Sequence, residues 1–497
     1  MDYLSIENLY RDSRDTDYPE RSFKLLLLRK FLDGTVYDIL QYPFVVTSKK
    51  TGMGDGVYSV EKIPMSQRRP SVISTLCGTV VDDSVSFLFG AGRFPQIKFS
   101  DDKTQELMDD LIDRTLLPAA MIDVATDGSV GTGVLLIKLI NSCIYYESLR
   151  AEYLTPIFDT SNPNLLIKLT QKYKVKGADL VSQGYDIKSP TLDYWYMREW
   201  DLQNENYYVP WSAEDTATKE FKPKIDRERS LAHGLGFVPA VWIRNLSGGN
   251  FIDGKCTFVK GITTNIQLDY QLSQCGRGLT YSQEPLLFYK NPNILENGQI
   301  KIGDGTILVG GENSDAKMIE INGDGCMAAL AYQEVLRKIV LENIHGNRSV
   351  PEKSGFSQSG KALEMLHHPL ILLASRLRST YGEVGLTNAI KMLLKIISKK
   401  EVFLNGERIK SNDIDSNSCV TLQWPQWFDE SPEDKYRTAM TLAELKNTGI
   451  ISQETAINTI ADIYNIQNTL DELEKINTEQ AEFVEEMEPQ VKETFSS

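Results

Sequence analysis

The densest run of groups able to hold a phosphate is Gly355-Phe356-Ser357-Gln358-Ser359-Gly360-Lys361-Ala362. It fits the G-x-x-x-x-G-K core of a P-loop, in which backbone N–H groups cradle phosphates and the lysine reaches the terminal ones. That chemistry also needs a serine or threonine after the lysine as a magnesium ligand. Ala362 stands there and has no ligand atom. A buried strand should lead into the loop, yet Asn347 to Ser354 is polar, and no apolar run ending in Asp follows at a plausible distance. No nucleotide and no other cofactor is expected. What survives is Lys361 at a helix N-terminus, where unpaired backbone N–H groups favour phosphate.

Other reaction chemistries find little support. The four histidines are His233, His345, His367 and His368. The adjacent pair His367-His368 points to different helix faces, so a shared metal is not expected. Six cysteines are scattered with no C-x-x-C pair, the pattern of reduced cytoplasmic thiols. No G-x-S-x-G, H-E-x-x-H or H-x-E…P-C-x-x-C appears, and no carboxylate pair stands out, so the chain is not expected to be an enzyme. Gly52-Met53-Gly54-Asp55-Gly56 lacks a strand-and-helix frame and reads as a surface turn. Tyr194, Trp195, Tyr196, Trp200, Tyr207, Tyr208 and Trp211 could stack bases, but aromatics favour strands and cross-strand pairs, so a hairpin core is expected.

The elements around these residues have a clear order. Cys326 to Ile344 reads as an amphipathic helix: Met327, Ala331, Val335 and Ile339 recur at i+4, with Leu330, Leu336, Val340 and Ile344 beside them. Gln333, Glu334, Arg337, Lys338 and Glu342 fill the other side. A glycine- and serine-rich loop follows. A second helix starts near Ser359, and Pro369 within it predicts a kink. Upstream, residues 255 to 276 read as a helix ended by Gly276-Arg277-Gly278. Between the two helices lies a β module with strands at Pro285–Tyr289, Gln299–Ile302, Thr306–Val309 and Lys317–Ile321. The middle two form a hairpin across Gly303-Asp304-Gly305.

Earlier in the chain, helices are expected over Tyr18 to Phe31, stopped by Gly34, over Val72 to Phe89 and over Lys103 to Leu117. Strands are expected at Gln96–Phe99, Gly131–Ile140, from Ile144, and at Leu165–Val175, Tyr194–Trp200, Asn206–Trp211 and Val238–Arg244. Later come a helix over Thr387 to Ser398, a strand at Cys419–Trp424 and helices opening at Ser431-Pro432 and Ser452. The last helix is acidic, with nine acids and two lysines from Asp471 to Ser497. The fold class is α+β with antiparallel strands.

A chain of 497 residues has room for two to four domains. No apolar run is long enough to span a bilayer, and the N-terminus lacks the regions of a signal peptide. Net charge is −15, where proteins that grip DNA firmly carry a basic excess.

Three stretches, in this order, resemble the portal proteins of tailed bacteriophages, the siphophage-type portal family. Ser357-Gln358-Ser359-Gly360-Lys361-Ala362-Leu363-Glu364-Met365-Leu366 is similar to the entry of the portal's long kinked helix. Gly449-Ile450-Ile451-Ser452-Gln453-Glu454-Thr455 is similar to a late portal turn, and an acidic helical tail follows. The resemblance implies a wing over 1–251, a stem helix over 252–278, a clip over 279–325 and a second stem helix over 326–345. It implies a channel loop over 346–361, a further wing part with kinked helix and strand over 362–428, and a crown with acidic tail over 429–497. It implies Arg348, Lys353, Ser354, Ser357 and Lys361 as loop residues facing DNA, with the kink at Pro369.

The implied protein is a homo-oligomer, a dodecameric ring at one capsid vertex of the virion, assembled in the host cytoplasm. Double-stranded DNA would pass through it during packaging and ejection. Its implied partners are the terminase large subunit, the major capsid protein, the scaffolding protein and a head-completion adaptor, with no membrane. Acidity suits a channel, since each neutralised phosphate adds a salt-sensitive attraction that would arrest the duplex. The alternatives are a nucleotide-dependent enzyme built on the near P-loop and another capsid or head–tail connector structural protein.

Overall fold

A computed structural model describes residues 2–12, 18–40, 45–49, 58–62, 68–212, 222–283, 286–292, 310–319, 324–346, 364–365, 367–404, 407–409, 414–415, 418–428, 432–464, 469, 472–476 and 478. The chain divides into two compact units, one of Met1–Gly346 with Leu372–Pro425, the other of Asn347–Ile371 with Gln426–Ser497. The architecture is mixed α+β with several antiparallel sheets. Among the described residues no helix is long and apolar enough to cross a membrane.

In the first unit, helix α1 (Tyr3–Asp12) is followed by α2 (Glu20–Leu32). The expected stop is seen: Gly34 takes φ +70°, and the Thr35 N–H donates back to the Lys30 carbonyl. A two-stranded ribbon, β1 (Val45–Lys49) with β2 (Tyr58–Lys62), leads to α3 (Leu76–Phe89). That helix starts later than its apolar spacing from Val72 predicts. The N–H groups of Val72 and Ser74 are satisfied by the side chains of Ser273 and Asp269 instead of by helical carbonyls. Strand β3 (Gln96–Phe99) precedes α4 (Asp102–Arg114), whose N-terminus is capped by Asp101 accepting from the Thr104 N–H. Leu116 then adopts φ 56°, and a separate helix, α5 (Leu117–Gly128), begins with Pro118 in its first turn.

Strands β4 (Thr132–Ile140) and β5 (Cys143–Arg150) form a hairpin across Asn141-Ser142, both at positive φ, as a tight two-residue turn requires. A larger sheet follows from β6 (Leu154–Phe158), β7 (Leu166–Lys176), β8 (Asp193–Trp200), β9 (Asn204–Tyr208), β10 (Trp211–Ser212) and β11 (Ile225–Ala232). Helix α6 (Gly177–Ser182) lies between β7 and β8 in sequence. Its order is β11-β9-β8-β7-β6, with β10 also paired to β8. Strand β12 (Ala240–Arg244) joins the hairpin to give β12-β4-β5. Val134, Leu136, Leu149, Leu154, Leu169, Trp200 and Ala240 bury a shared core between the two sheets. Of the aromatic cluster, Trp200 lies in this core, while Tyr194 and Tyr196 form a second one with Leu180 and Tyr185, against which Tyr207 packs. Tyr194, Trp195, Tyr196, Trp200 and Trp211 are buried, and Tyr207 and Tyr208 are half-buried.

Ion pairs inside this unit tie α2 to α5 and to the segments beside the sheets. Arg21 forms a two-pronged bridge to Asp253 at 2.7 Å on each arm, and Thr132 Oγ1 donates to the same carboxylate. Arg29 bridges Glu152 at 3.2 Å and Asp127 at 3.1 Å, with Glu152 fully buried.

Helix α7 (Ile262–Gln283), the hairpin of β13 (Leu286–Pro292) and β14 (Gly310–Ile319), and α8 (Asp324–Asn343) come next. The expected glycine stop does not end α7, which continues through Gly276 and Gly278 to Gln283. A helix-interior glycine costs only about 1 kcal/mol relative to alanine, and α7 packs along α8, so tertiary contact outweighs the local preference. The expected strands at Gln299–Ile302 and Thr306–Val309 lie outside the described residues.

Helix α9 (His368–Leu377) leads into a π-helical stretch, Arg378–Leu386, and α10 (Thr387–Lys399). Pro369 stands in the first turn of α9, where a missing N–H costs nothing. A departure from α geometry follows at Arg378–Leu386. Gly382 is needed there because a Cβ would stand 2.1 Å from Trp424 Cζ2. The unit ends with β15 (Val402–Leu404) paired to β16 (Glu407–Ile409), and β17 (Val420–Gln423) paired to β3.

In the second unit, α11 (Pro432–Asn447) and α12 (Gln453–Tyr464) open where proline and serine signals place them. Between them Gly449 takes φ +73°, and the Thr455 N–H donates to Ser452 Oγ. Most of the acidic tail lies outside the described residues.

Candidate functional site

The helix pair α7–α8 holds the most distinctive chemistry. On α7, Asn265, Asp269 and Ser273 recur at i+4 and form a polar line on an otherwise apolar inner face. Asp269, 1% exposed, accepts from Tyr37 Oη at 2.9 Å, and from both the N–H and hydroxyl of Ser74 at 2.7 Å. Asn265 Nδ2 donates to Asp269 Oδ2 and to the Ser74 carbonyl. No cation bonds to this carboxylate among the described residues. Desolvation pushes its pKa up to about 6, against the lowering by its donors. The same burial, with the carboxylate beside it, pushes the Tyr37 hydroxyl up. The Tyr270 hydroxyl donates to the Arg68 carbonyl at 2.7 Å, so the 68–74 segment is fastened along α7 at several points.

Helix α8 presents two apolar lines. Leu336, Val340 and Ile344 are buried, and Gln333, expected on the polar side, is buried with them and donates to the Gln271 carbonyl on α7. The i+4 line runs elsewhere: Met327 is 70% exposed, Val335 50% and Ile339 38%, with Ala331 exposed among them. One helix thus offers one apolar face to its own chain and leaves a second uncovered.

Of the residues singled out in the sequence, Arg348, Lys353, Ser354, Ser357 and Lys361 lie outside the described residues, as do the near P-loop and the Gly52–Gly56 turn. Pro369 is in the first turn of α9. His367 packs its ring against Phe428 at 5.7 Å, within the second unit. Sequence reasoning missed Asp269 and His345. The signal for Asp269 was the i+4 polar line set into an apolar helix. The signal for His345 was its place just before Gly346 at a helix end.

Compared with models of protein families and with curated protein sequences, the chain matches none.

Proposed function

We propose that this chain is the portal subunit of a tailed bacteriophage. Copies close into a ring at one capsid vertex, and double-stranded DNA passes through the opening during packaging and ejection. The observation that carries the reading is the uncovered line Met327, Ala331, Val335 and Ile339 on α8. Fully covering a large apolar side chain contributes about 1.5–3 kcal/mol, so three of them on one face supply a drive to associate. In this reading the face packs on a different surface of the next copy; such head-to-tail contacts repeat around an axis and close into rings.

The helix–hairpin–helix order, α7, β13–β14, α8, supports the reading, since it matches a stem pair carrying a clip. In this reading the hairpin meets the terminase large subunit and later the head-completion adaptor, and the outer sheets meet the major capsid protein and scaffolding protein. The ring does no bond chemistry itself; the motor supplies the work.

Electron microscopy of the purified chain tests this. Rings with a central opening wide enough for duplex DNA are expected. Val335→Asp with Ile339→Asp is expected to leave folded single subunits. A monomer at high concentration in the unsubstituted protein refutes the proposal.

A further inference from the structure

A cleft of about 350 Å³ opens in the first unit, between the C-terminal half of β4, the β9–β11 side of the large sheet and the end of α10. Leu136, Trp200, Leu235, Pro239 and Ile396 give it apolar walls. Leu231 and Ile140, 56% and 48% exposed, also line it.

One wall is an unfinished strand edge. Strand β12 runs beside β4, and its ladder ends at Pro239, which accepts the Ile137 N–H at 2.8 Å and has no N–H to return. Successive residues of a strand direct their N–H and C=O groups to opposite edges, so Leu139 directs its pair the same way as the Ile137 N–H, away from β5. The chain before Pro239 does not continue the ladder. The N–H groups of Gly234 and Gly236 donate instead to the Gln203 and Leu202 carbonyls. Leu139, which lines the cleft, therefore presents a donor and an acceptor with no strand opposite them among the described residues.

The charges at the cleft are matched in place, with one exception. Lys138 pairs with Glu147, Glu205 with Arg198 at 3.1 Å, and Arg229 with Asp226 at 3.1 Å. His233 is engaged as a neutral ring: Nδ1 accepts the Leu235 N–H and Nε2 donates to the Asp201 carbonyl, each at 3.2 Å. Lys400 lines the cleft with its Nζ beside Gly234, where a Cβ would stand 3.7 Å from it. It has no carboxylate partner among the described residues.

We propose that this cleft takes an extended peptide segment of a partner protein, with an acidic side chain set among aliphatic ones. One residue of the segment bridges Leu139 as a strand residue would: its N–H donates to the Leu139 carbonyl, and its carbonyl accepts the Leu139 N–H. A peptide is the fitting occupant because it supplies donor and acceptor together at strand spacing. An aliphatic side chain covers Leu231 and Ile140, and the carboxylate pairs with Lys400. Charge complementarity selects the acid, since Lys400 is the charge left unmatched. The cleft lies within one chain, so the inference does not rest on ring formation.

The test is anisotropy of a labelled, end-blocked hexapeptide, threonines and valines around one central glutamate, titrated with the full chain. Saturable binding is expected, with the same peptide carrying lysine for glutamate at least about tenfold weaker. Lys400→Glu is expected to reverse that order. Leu139→Pro removes a donor that no strand uses and is expected to fold and to bind roughly threefold to tenfold more weakly than Leu139→Ala, which keeps the donor. Absence of saturable binding overturns the inference. So does equal binding of the two peptides, an unchanged order in Lys400→Glu, or equal binding by folded Leu139→Pro and Leu139→Ala. Should the proline variant not fold, Lys400→Glu decides the case. Electron microscopy of the same samples reads ring formation separately: rings without peptide binding overturn the cleft alone, and peptide binding without rings overturns the portal reading alone.

Discussion

The Tyr37 hydroxyl donates to Asp269 Oδ2 at 2.9 Å, joining positions 232 residues apart that are each 1% exposed. Among the described residues the carboxylate is held by neutral donors alone, so its charge is stabilised by hydrogen bonds and opposed by desolvation.

A pH dependence arises from that balance. The folded pKa of about 6 lies above the ordinary 3.8, so the native state binds the proton more tightly than the unfolded chain. This site's contribution therefore favours folding most below pH 3.8 and fades as pH rises to about 6. The size over that window is about 3 kcal/mol. Asp269→Asn is expected to flatten the slope of unfolding free energy between those two values, measured by urea denaturation at several pH values. An unchanged slope rejects the assignment.

Arg29 and Glu152 form a pair that is almost fully desolvated. Arg29→Met leaves the Glu152 carboxylate without a cation in a buried place, and a loss of about 3–5 kcal/mol is expected. Joint replacement, Arg29→Met with Glu152→Leu, is expected to recover most of it. Denaturation midpoints of the three proteins decide the matter.

Gly382→Ala places a methyl 2.1 Å from Trp424 Cζ2, and Trp424 also stacks on Phe89 at 6.0 Å and donates to Glu383 at 2.9 Å. A loss of about 1–3 kcal/mol is expected from overpacking, with a shift in tryptophan emission. Trp424→Leu in the same chain is expected to restore part of the loss, because the two sites are in contact and do not add independently.

His345→Gly removes a Cβ from a left-handed position and is expected to stabilise the subunit by about 1 kcal/mol. The gain should grow as pH falls below about 6.5, since the native imidazole, with its lowered pKa, resists the proton that the unfolded one accepts. Thermal unfolding at neutral and mildly acid pH reads both effects.

Local chemistry was legible where one residue type dictates a backbone state. Gly34, Asp101, Pro432 and Gly449 end or open helices where their side chains, or lack of them, require it. The strands β7, β8 and β12 were legible from aromatic and β-branched alternation. The sequence misleads where a distant partner overrides a local rule. Gly276 and Gly278 sit inside α7 because α8 runs beside it, and Val72–Ser74 stays extended because Asp269 and Ser273 take its N–H groups. Helix α8 shows the limit for function. Its spacing reveals two apolar lines, but only the structure tells that Leu336, Val340 and Ile344 face inward while Met327, Val335 and Ile339 do not.

The wide-wound turn at Arg378–Leu386 sets the rotation of α10. A backbone that bonds each N–H one residue further back than an α-helix does has taken in extra chain without lengthening the rod in proportion. Returning it to ordinary α winding with all nine residues kept rotates α10 by roughly 100° or more about its axis. Ile390, Leu393, Leu394 and Ile397, all inward-facing now, would swing toward the solvent side together. The winding of this short segment therefore fixes which side of α10 is buried.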